Sequence, residues 1–135
     1  MIRCAGHLLA ILLSAGSAFA ACPGPEQVDV YPTGDVLPEN LLRIYAYYPR
    51  PMMMDQGLNH VRLLDEAGTP VSDVFLRNRD NLWSPDRRRL TMILDPGRVK
   101  TGLKSHDRLG RALVAGRTYT IEVSGAAIDA DGCAL

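Results

Sequence analysis

The sequence predicts an all-β domain, an antiparallel β-sandwich of about seven strands. Short segments in which apolar and polar residues alternate recur between residues 28 and 123, and a period of two is typical of strands with one buried face. Turn-forming residues interrupt these segments at short intervals, as in sandwiches and barrels. The segments are too short and too often interrupted for a helical fold.

The clearest alternation lies in residues 41–48 and 118–124. In the first segment, one face consists of Leu42, Ile44, Ala46 and Tyr48, and the other of Arg43, Tyr45 and Tyr47. Prolines 49 and 51 end this strand, because proline cannot donate to a ladder. Further strands are predicted at 28–31, 60–64, 71–76 and 90–94.

Residues 95–111 differ from the rest of the chain. Five basic residues and few apolar ones lie in this segment, which predicts a long exposed loop. Asp95 before Pro96 is a helix-start signal that could cap one helical turn. Loops of this length are often functional, but a solvated connection is the simpler interpretation.

Residues 1–20 have the features of a secretory signal peptide. Arg3 supplies a positive charge, Leu8–Leu13 an apolar core, and Ala18–Ala20 an A-x-A cleavage site, in the order that such signals require. The apolar core is shorter than the roughly 20 residues of a membrane span. The alternative is a buried N-terminal helix. We expect export to the periplasm or the extracellular space, leaving one mature domain, residues 21–135.

The charge balance argues against nucleic acid as a partner. The chain has 15 basic and 15 acidic residues, and cleavage removes only Arg3 among them. A nucleic-acid-binding domain has a clear basic excess. No second apolar stretch long enough to span a bilayer follows the signal.

Two cysteines remain after cleavage, because Cys4 leaves with the signal peptide. An even pair in an oxidising compartment is usually bridged, and this predicts a disulfide between Cys22 and Cys133. The alternative is that residues 19–22 form a lipobox and Cys22 carries a lipid anchor. Phe19 stands there where leucine is usual, and lipidation would leave Cys133 as a lone thiol.

Three segments resemble bacterial Ig-like domains. Leu113–Val123 with Asp129–Gly132 is similar to their last hairpin, an L-x-x-G-x-x-Y-T strand followed by a D-x-x-G turn. Ile44–Met52 resembles their strand that ends in F-S-E-P-M, with Arg50 in place of the glutamate, and Arg88–Leu94 resembles their middle strand. The likeness extends over residues 28–133. It implies an Ig-like sandwich of the bacterial envelope that serves in adhesion, spacing or binding, without chemistry of its own.

The sequence offers no catalytic constellation, and we expect neither an enzyme nor a cofactor. Nucleophilic catalysis needs a serine or cysteine beside an oriented base. His60 and His106 are the histidines left after cleavage, and no G-x-S-x-G motif is present. The acidic pair Asp65 and Glu66 falls in a predicted turn, where aspartate stabilises turn geometry.

A metal site is a minority interpretation. Sulfur and imidazole ligands suit copper, and the chain offers them at Met52, Met53, Met54 and His60. Copper carriers of the CopC kind also use an Ig-like sandwich, but their N-terminal histidine is replaced here by Ala21. Residues 129–132 resemble the start of a calcium loop that lacks its later glutamate, and a simple turn explains them better.

A basic and aromatic patch is the candidate partner-binding site. It consists of Arg77, Arg79, Trp83, Arg87, Arg88 and Arg89. Such a patch could contact an acidic polysaccharide, a lipid headgroup or a protein of the envelope. The simpler interpretation is that Trp83 is a core residue and that the arginines keep the surface soluble. The function expected from the sequence is therefore an exported binding or spacer module, with a copper carrier as the alternative.

Overall fold

The computed structural model describes residues 21–77 and 82–135. In this part the chain forms five strands, β1 (Asp29–Tyr31), β2 (Arg43–Tyr47), β3 (Val61–Leu64), β4 (Arg89–Ile93) and β5 (Thr120–Val123). A 3-10 turn (Leu58–His60) precedes β3, and two short helices, α1 (Pro96–Val99) and α2 (Lys104–Leu109), connect β4 to β5. The predicted signal peptide, residues 1–20, lies outside the described residues.

The strands form two antiparallel sheets. One sheet has the order β1-β2-β4, and the other pairs β3 with β5. In the larger sheet, Tyr45 lies between Tyr31 and Thr91, while Tyr47 lies between Asp29 and Arg89. Because successive side chains of a strand point to opposite faces, these four neighbours lie on the same face of the sheet as Tyr45 and Tyr47.

Both sheets contribute their inner faces to the core. The main apolar cluster includes Ile44 and Ala46 of β2, Leu90 and Met92 of β4 and Val61 of β3. A smaller cluster forms beside it around Leu63 and Leu94. Burying each large apolar side chain contributes roughly 1.5–3 kcal/mol, so the alternation read from the sequence is what fixes the register of both sheets.

Five of the six predicted strand segments become strands, within one or two residues at each end. The exception is 71–76, which makes an isolated bridge from Phe75 to Leu94. Asp73 has a φ of 47°, a left-handed conformation that interrupts an extended strand. Trp83 likewise pairs with Leu90 through a single bridge. With such bridges in place of ladders, the number of about seven strands is not confirmed.

The prediction that residues 95–111 form an exposed loop was wrong about its secondary structure and about the exposure of Arg98. The segment contains α1 and α2, and Arg98 within it is only 4% exposed. The expected cap is present, since the Asp95 Oδ1 accepts a hydrogen bond from the Gly97 amide at 2.8 Å. The sequence misled because a buried arginine cannot be told from a solvated one by residue type.

The beginning and the end of the described fold are joined covalently. Cys22 and Cys133 form a disulfide with a Cα–Cα distance of 5.5 Å, as predicted. This bond uses the Cys22 sulfur that a lipid anchor would need. Beside it, Arg50 donates to the Asp129 carboxylate at 2.6 Å, which ties the segment after β2 to the same turn.

Candidate binding surface

The outward face of the larger sheet combines tyrosine and arginine. The alternation in β2 turns Ile44 and Ala46 into the core and leaves Arg43, Tyr45 and Tyr47 on the other side. β1 adds Asp29 and Tyr31, and β4 adds Arg89, Thr91 and Ile93. Tyrosine and arginine are enriched at protein interfaces, so this surface, hereafter the Tyr/Arg face, has the composition of a binding site.

The rings of Tyr31 and Tyr47 are accessible to solvent and contact each other. Tyr31 is 45% exposed and Tyr47 42% exposed, and their rings meet edge to face at a centroid distance of 5.4 Å. The guanidinium carbon of Arg89 lies 5.7 Å from the centroid of the Tyr45 ring, within the range of a cation–π contact. These contacts limit side-chain motion, which lowers the entropy that a ligand would have to remove.

The two arginines of this face differ in ion pairing from some other surface arginines. Arg111 pairs with Glu39 at 2.9 Å and Arg117 with Glu66 at 3.0 Å. Arg43 and Arg89, like Arg77, Arg87 and Arg88, form no ion pair within residues 21–77 and 82–135. Asp29, at the β1 edge, is the one carboxylate among the outward residues of these three strands.

The predicted basic patch is divided by the structure. Arg77 and Arg88 are exposed, Arg87 is half-buried, and Arg89 belongs to the Tyr/Arg face. Trp83, in contrast, is only 8% exposed, joins the core, and donates its indole N–H to the Met54 carbonyl at 3.2 Å. It is therefore a core residue and no part of an exposed patch. Arg79 lies outside the described residues.

A tight turn connects Trp83 to β4 and fixes the start of that strand. The Ser84 hydroxyl donates to the Asp86 Oδ1 at 2.5 Å, and the Arg88 amide donates to the same oxygen at 3.2 Å. The hydrogen bond from Ser84, together with that from Arg88, lowers the pKa of Asp86. Arg87 has a φ of 57° in this turn and is half-buried, whereas Arg88 and Arg89 are exposed.

The candidate copper ligands do not share one accessible site. Met52 is fully buried in the main apolar cluster, whereas Met53 and Met54 are exposed and His60 is half-buried. The backbone of Met52 bridges to Asp129, which holds its side chain in the core. Across the part of the chain that the structure describes, no group of three or more His, Cys, Asp or Glu side chains is arranged to hold a metal ion.

The turn that resembles a calcium loop has its carboxylate already occupied. Asp129 is 2% exposed, and its Oδ1 accepts from the amides of Asp131 at 2.9 Å and Cys133 at 2.7 Å. Its Oδ2 accepts from Arg50, whose Nε also lies 3.0 Å from Glu26. Arg50, which stands where the resembling domains have glutamate, thus supplies the positive charge that neutralises Asp129.

The histidines and the acidic turn show no catalytic arrangement. Among the described residues, no side-chain hydrogen bond links the imidazole of His60 or His106 to a serine, a cysteine or a carboxylate. Asp65 accepts from the amides of Ala67 and Thr69 at 3.0 and 2.8 Å, which is the turn-stabilising role predicted for it.

A cleft of about 410 Å³ opens between residues 34–39 and 113–119. Its floor is apolar and includes Ile44, Leu63 and Ile121. The Tyr119 hydroxyl accepts from the Val114 amide at 3.1 Å. The cleft therefore offers apolar contact and no paired nucleophile and base.

In the described ranges, no helix is long and apolar enough to cross a membrane. Comparison with protein-family models, with curated proteins and with solved structures finds no match to this chain. The surface geometry and the sequence features of the chain itself are therefore the basis on which its function is inferred.

Proposed function

We propose that this chain is an exported, non-enzymatic module of the bacterial envelope, with an Ig-like sandwich fold, that binds its partner through the Tyr/Arg face. The observation that carries the proposal is the solvent-exposed combination of Tyr31, Tyr47, Arg43 and Arg89 on one sheet face. Large aromatic side chains and arginine contribute most of the energy at binding surfaces.

The disulfide favours a binding role over a spacer role. An in-line spacer receives the chain at one end and releases it at the other. Here Cys22 and Cys133 lie 5.5 Å apart at the Cα atoms, so chain segments leading to and from the domain would leave from the same place. This arrangement fits attachment at one point better than it fits an in-line spacer.

Export and the Ig-like fold have separate support. The charge, apolar core and A-x-A site of residues 1–20 follow the order of a signal peptide, and a bridged cysteine pair is typical of oxidising compartments. Two antiparallel sheets with a common core agree with the sandwich that the sequence motifs resemble.

The test uses the mature protein, residues 21–135 with its disulfide intact, mixed with envelope fractions of its native source. We expect it to sediment with one fraction, and a Tyr31→Ser/Tyr47→Ser variant to lose most of this binding. The matched control is Val36→Ser/Val114→Ser, which removes exposed apolar side chains at the rim of the cleft. Unchanged binding by the tyrosine variant, or equal loss in the control, would contradict the proposal.

A further inference from the structure

The position of the unpaired charges on the Tyr/Arg face restricts what can bind there. Arg43 begins β2, and Arg89 lies opposite Tyr47 at the other end of that strand. At about 3.3 Å per residue along a strand and about 4.8 Å between strands, their Cα atoms are roughly 14 Å apart. A chain with repeated negative charges can contact arginines at two such separate positions of the face at once.

The outward residues of β2 that follow Arg43 are aromatic. Tyr45 lies beside Tyr31 of β1 and Thr91 of β4, and Tyr47 lies opposite Arg89. Tyrosine rings offer an apolar surface with a polar edge, which suits the C–H faces and hydroxyl groups of sugar rings. Guanidinium groups bind carboxylates through two parallel hydrogen bonds.

We propose that the Tyr/Arg face binds an acidic polysaccharide, with tyrosines against the sugar rings and with Arg43 and Arg89 on carboxylates of separate sugar units. This inference deepens the proposed function and rests on it. The charge of the face is complementary to such a polymer, since Asp29 is the single outward carboxylate of the three strands. The nearly neutral chain as a whole would not attract polyanions at every surface.

The experiment measures binding of the mature, oxidised protein to alginate, a polymer of uronic acids, by isothermal titration calorimetry. Dextran serves as the neutral sugar polymer, and poly-glutamate as an acidic polymer without sugar rings. We expect binding to alginate and no binding to dextran. The affinity for poly-glutamate should be at least about tenfold lower than the affinity for alginate. Equal affinity for alginate and poly-glutamate would overturn the assignment to a polysaccharide.

Two charge-matched variants locate the site. Arg43→Ser/Arg89→Ser should weaken alginate binding by about tenfold or more, because each lost guanidinium leaves one carboxylate without its partner. Arg62→Ser/Arg117→Ser removes the same charge from exposed positions off the Tyr/Arg face and should retain alginate binding. Equal weakening by both would overturn the inference, and so would the absence of alginate binding. If alginate fails but envelope fractions still bind through Tyr31 and Tyr47, the polysaccharide assignment falls and the proposed function stands.

Discussion

Arg98 offers the sharpest test of how the segment between β4 and β5 is held. Its guanidinium is buried and donates to four backbone carbonyls, those of Ser72 at 2.5 Å, Gly110 at 3.1 Å, Leu109 at 3.2 Å and Arg111 at 3.1 Å. No carboxylate forms an ion pair with it within the described residues. The carbonyl dipoles therefore take the place of a counter-ion. The side chain joins α1 to Ser72 and to residues 109–111, which no strand connects.

Replacing Arg98 with methionine keeps the volume but leaves these carbonyls without a donor. Each hydrogen bond to a charged group contributes about 1.5–3 kcal/mol, and burying the charge offsets part of that sum. We expect a net loss of about 3–5 kcal/mol in the free energy of unfolding, a large share of a typical domain's 5–15 kcal/mol. Arg98→Lys should lose less, about 1.5–3 kcal/mol, because one ammonium reaches only some of the carbonyls.

Urea unfolding of the oxidised protein, followed by tryptophan fluorescence, measures these differences. The control is Arg117→Met, because Arg117 forms an exposed ion pair with Glu66 that should contribute no more than about 1 kcal/mol. If Arg98→Met lost no more stability than this control, the argument that the guanidinium organises the segment would be refuted.

Three further predictions concern other parts of the fold. Cys22→Ser/Cys133→Ser should lower the free energy of unfolding by about 2–5 kcal/mol, measured by urea unfolding; a loss below about 1 kcal/mol would contradict the role of this long-range bridge. Burial raises the pKa of Tyr48 to about 12 from its usual 10.0, so its stabilising contribution is complete below pH 10 and is lost between pH 10 and 12. That loss totals about 2–3 kcal/mol; stability curves of wild type and Tyr48→Phe with the same slope across this window would contradict it. Asp129→Ala removes the main partner of Arg50 and should cost about 3–5 kcal/mol, measured by thermal unfolding, whereas a near-neutral effect would mean that Arg50 finds sufficient solvation elsewhere.

The strands were predictable because their signal is local. In β2 and β4 each inward residue is apolar and each pattern has a period of two, so burial of one face determines the structure. The disulfide was predictable for a similar reason, since cleavage of the predicted signal peptide leaves one even pair. Residues 71–76 failed as a strand because Asp73 adopts a left-handed conformation that its residue type permits but does not require.

The site was predicted only in part, because the sequence does not show which elements become neighbours. Consecutive arginines and Trp83 make the patch around Arg87 the binding site that the sequence indicates, yet Trp83 lies in the core. The alternation in residues 41–48 already separated Arg43, Tyr45 and Tyr47 from the apolar face. What it could not show was that β1 and β4 flank β2 and bring Tyr31 and Arg89 to the same surface. The outward aromatic residues of a strand were the signal that could have located this surface.

Backbone amide chemical shifts of the isotope-labelled mature protein, recorded by NMR while native envelope polysaccharide is added, test most directly whether the Tyr/Arg face is the binding site. We predict that the largest shift changes fall in β1, β2 and β4, at residues 29–31, 43–47 and 89–93. Residues of β3 and β5, on the other sheet, should change little. Changes concentrated in β3, β5 or the helices at 96–109 would contradict the Tyr/Arg face as the binding site. No changes at saturating polysaccharide would contradict the assignment of a polysaccharide as its ligand.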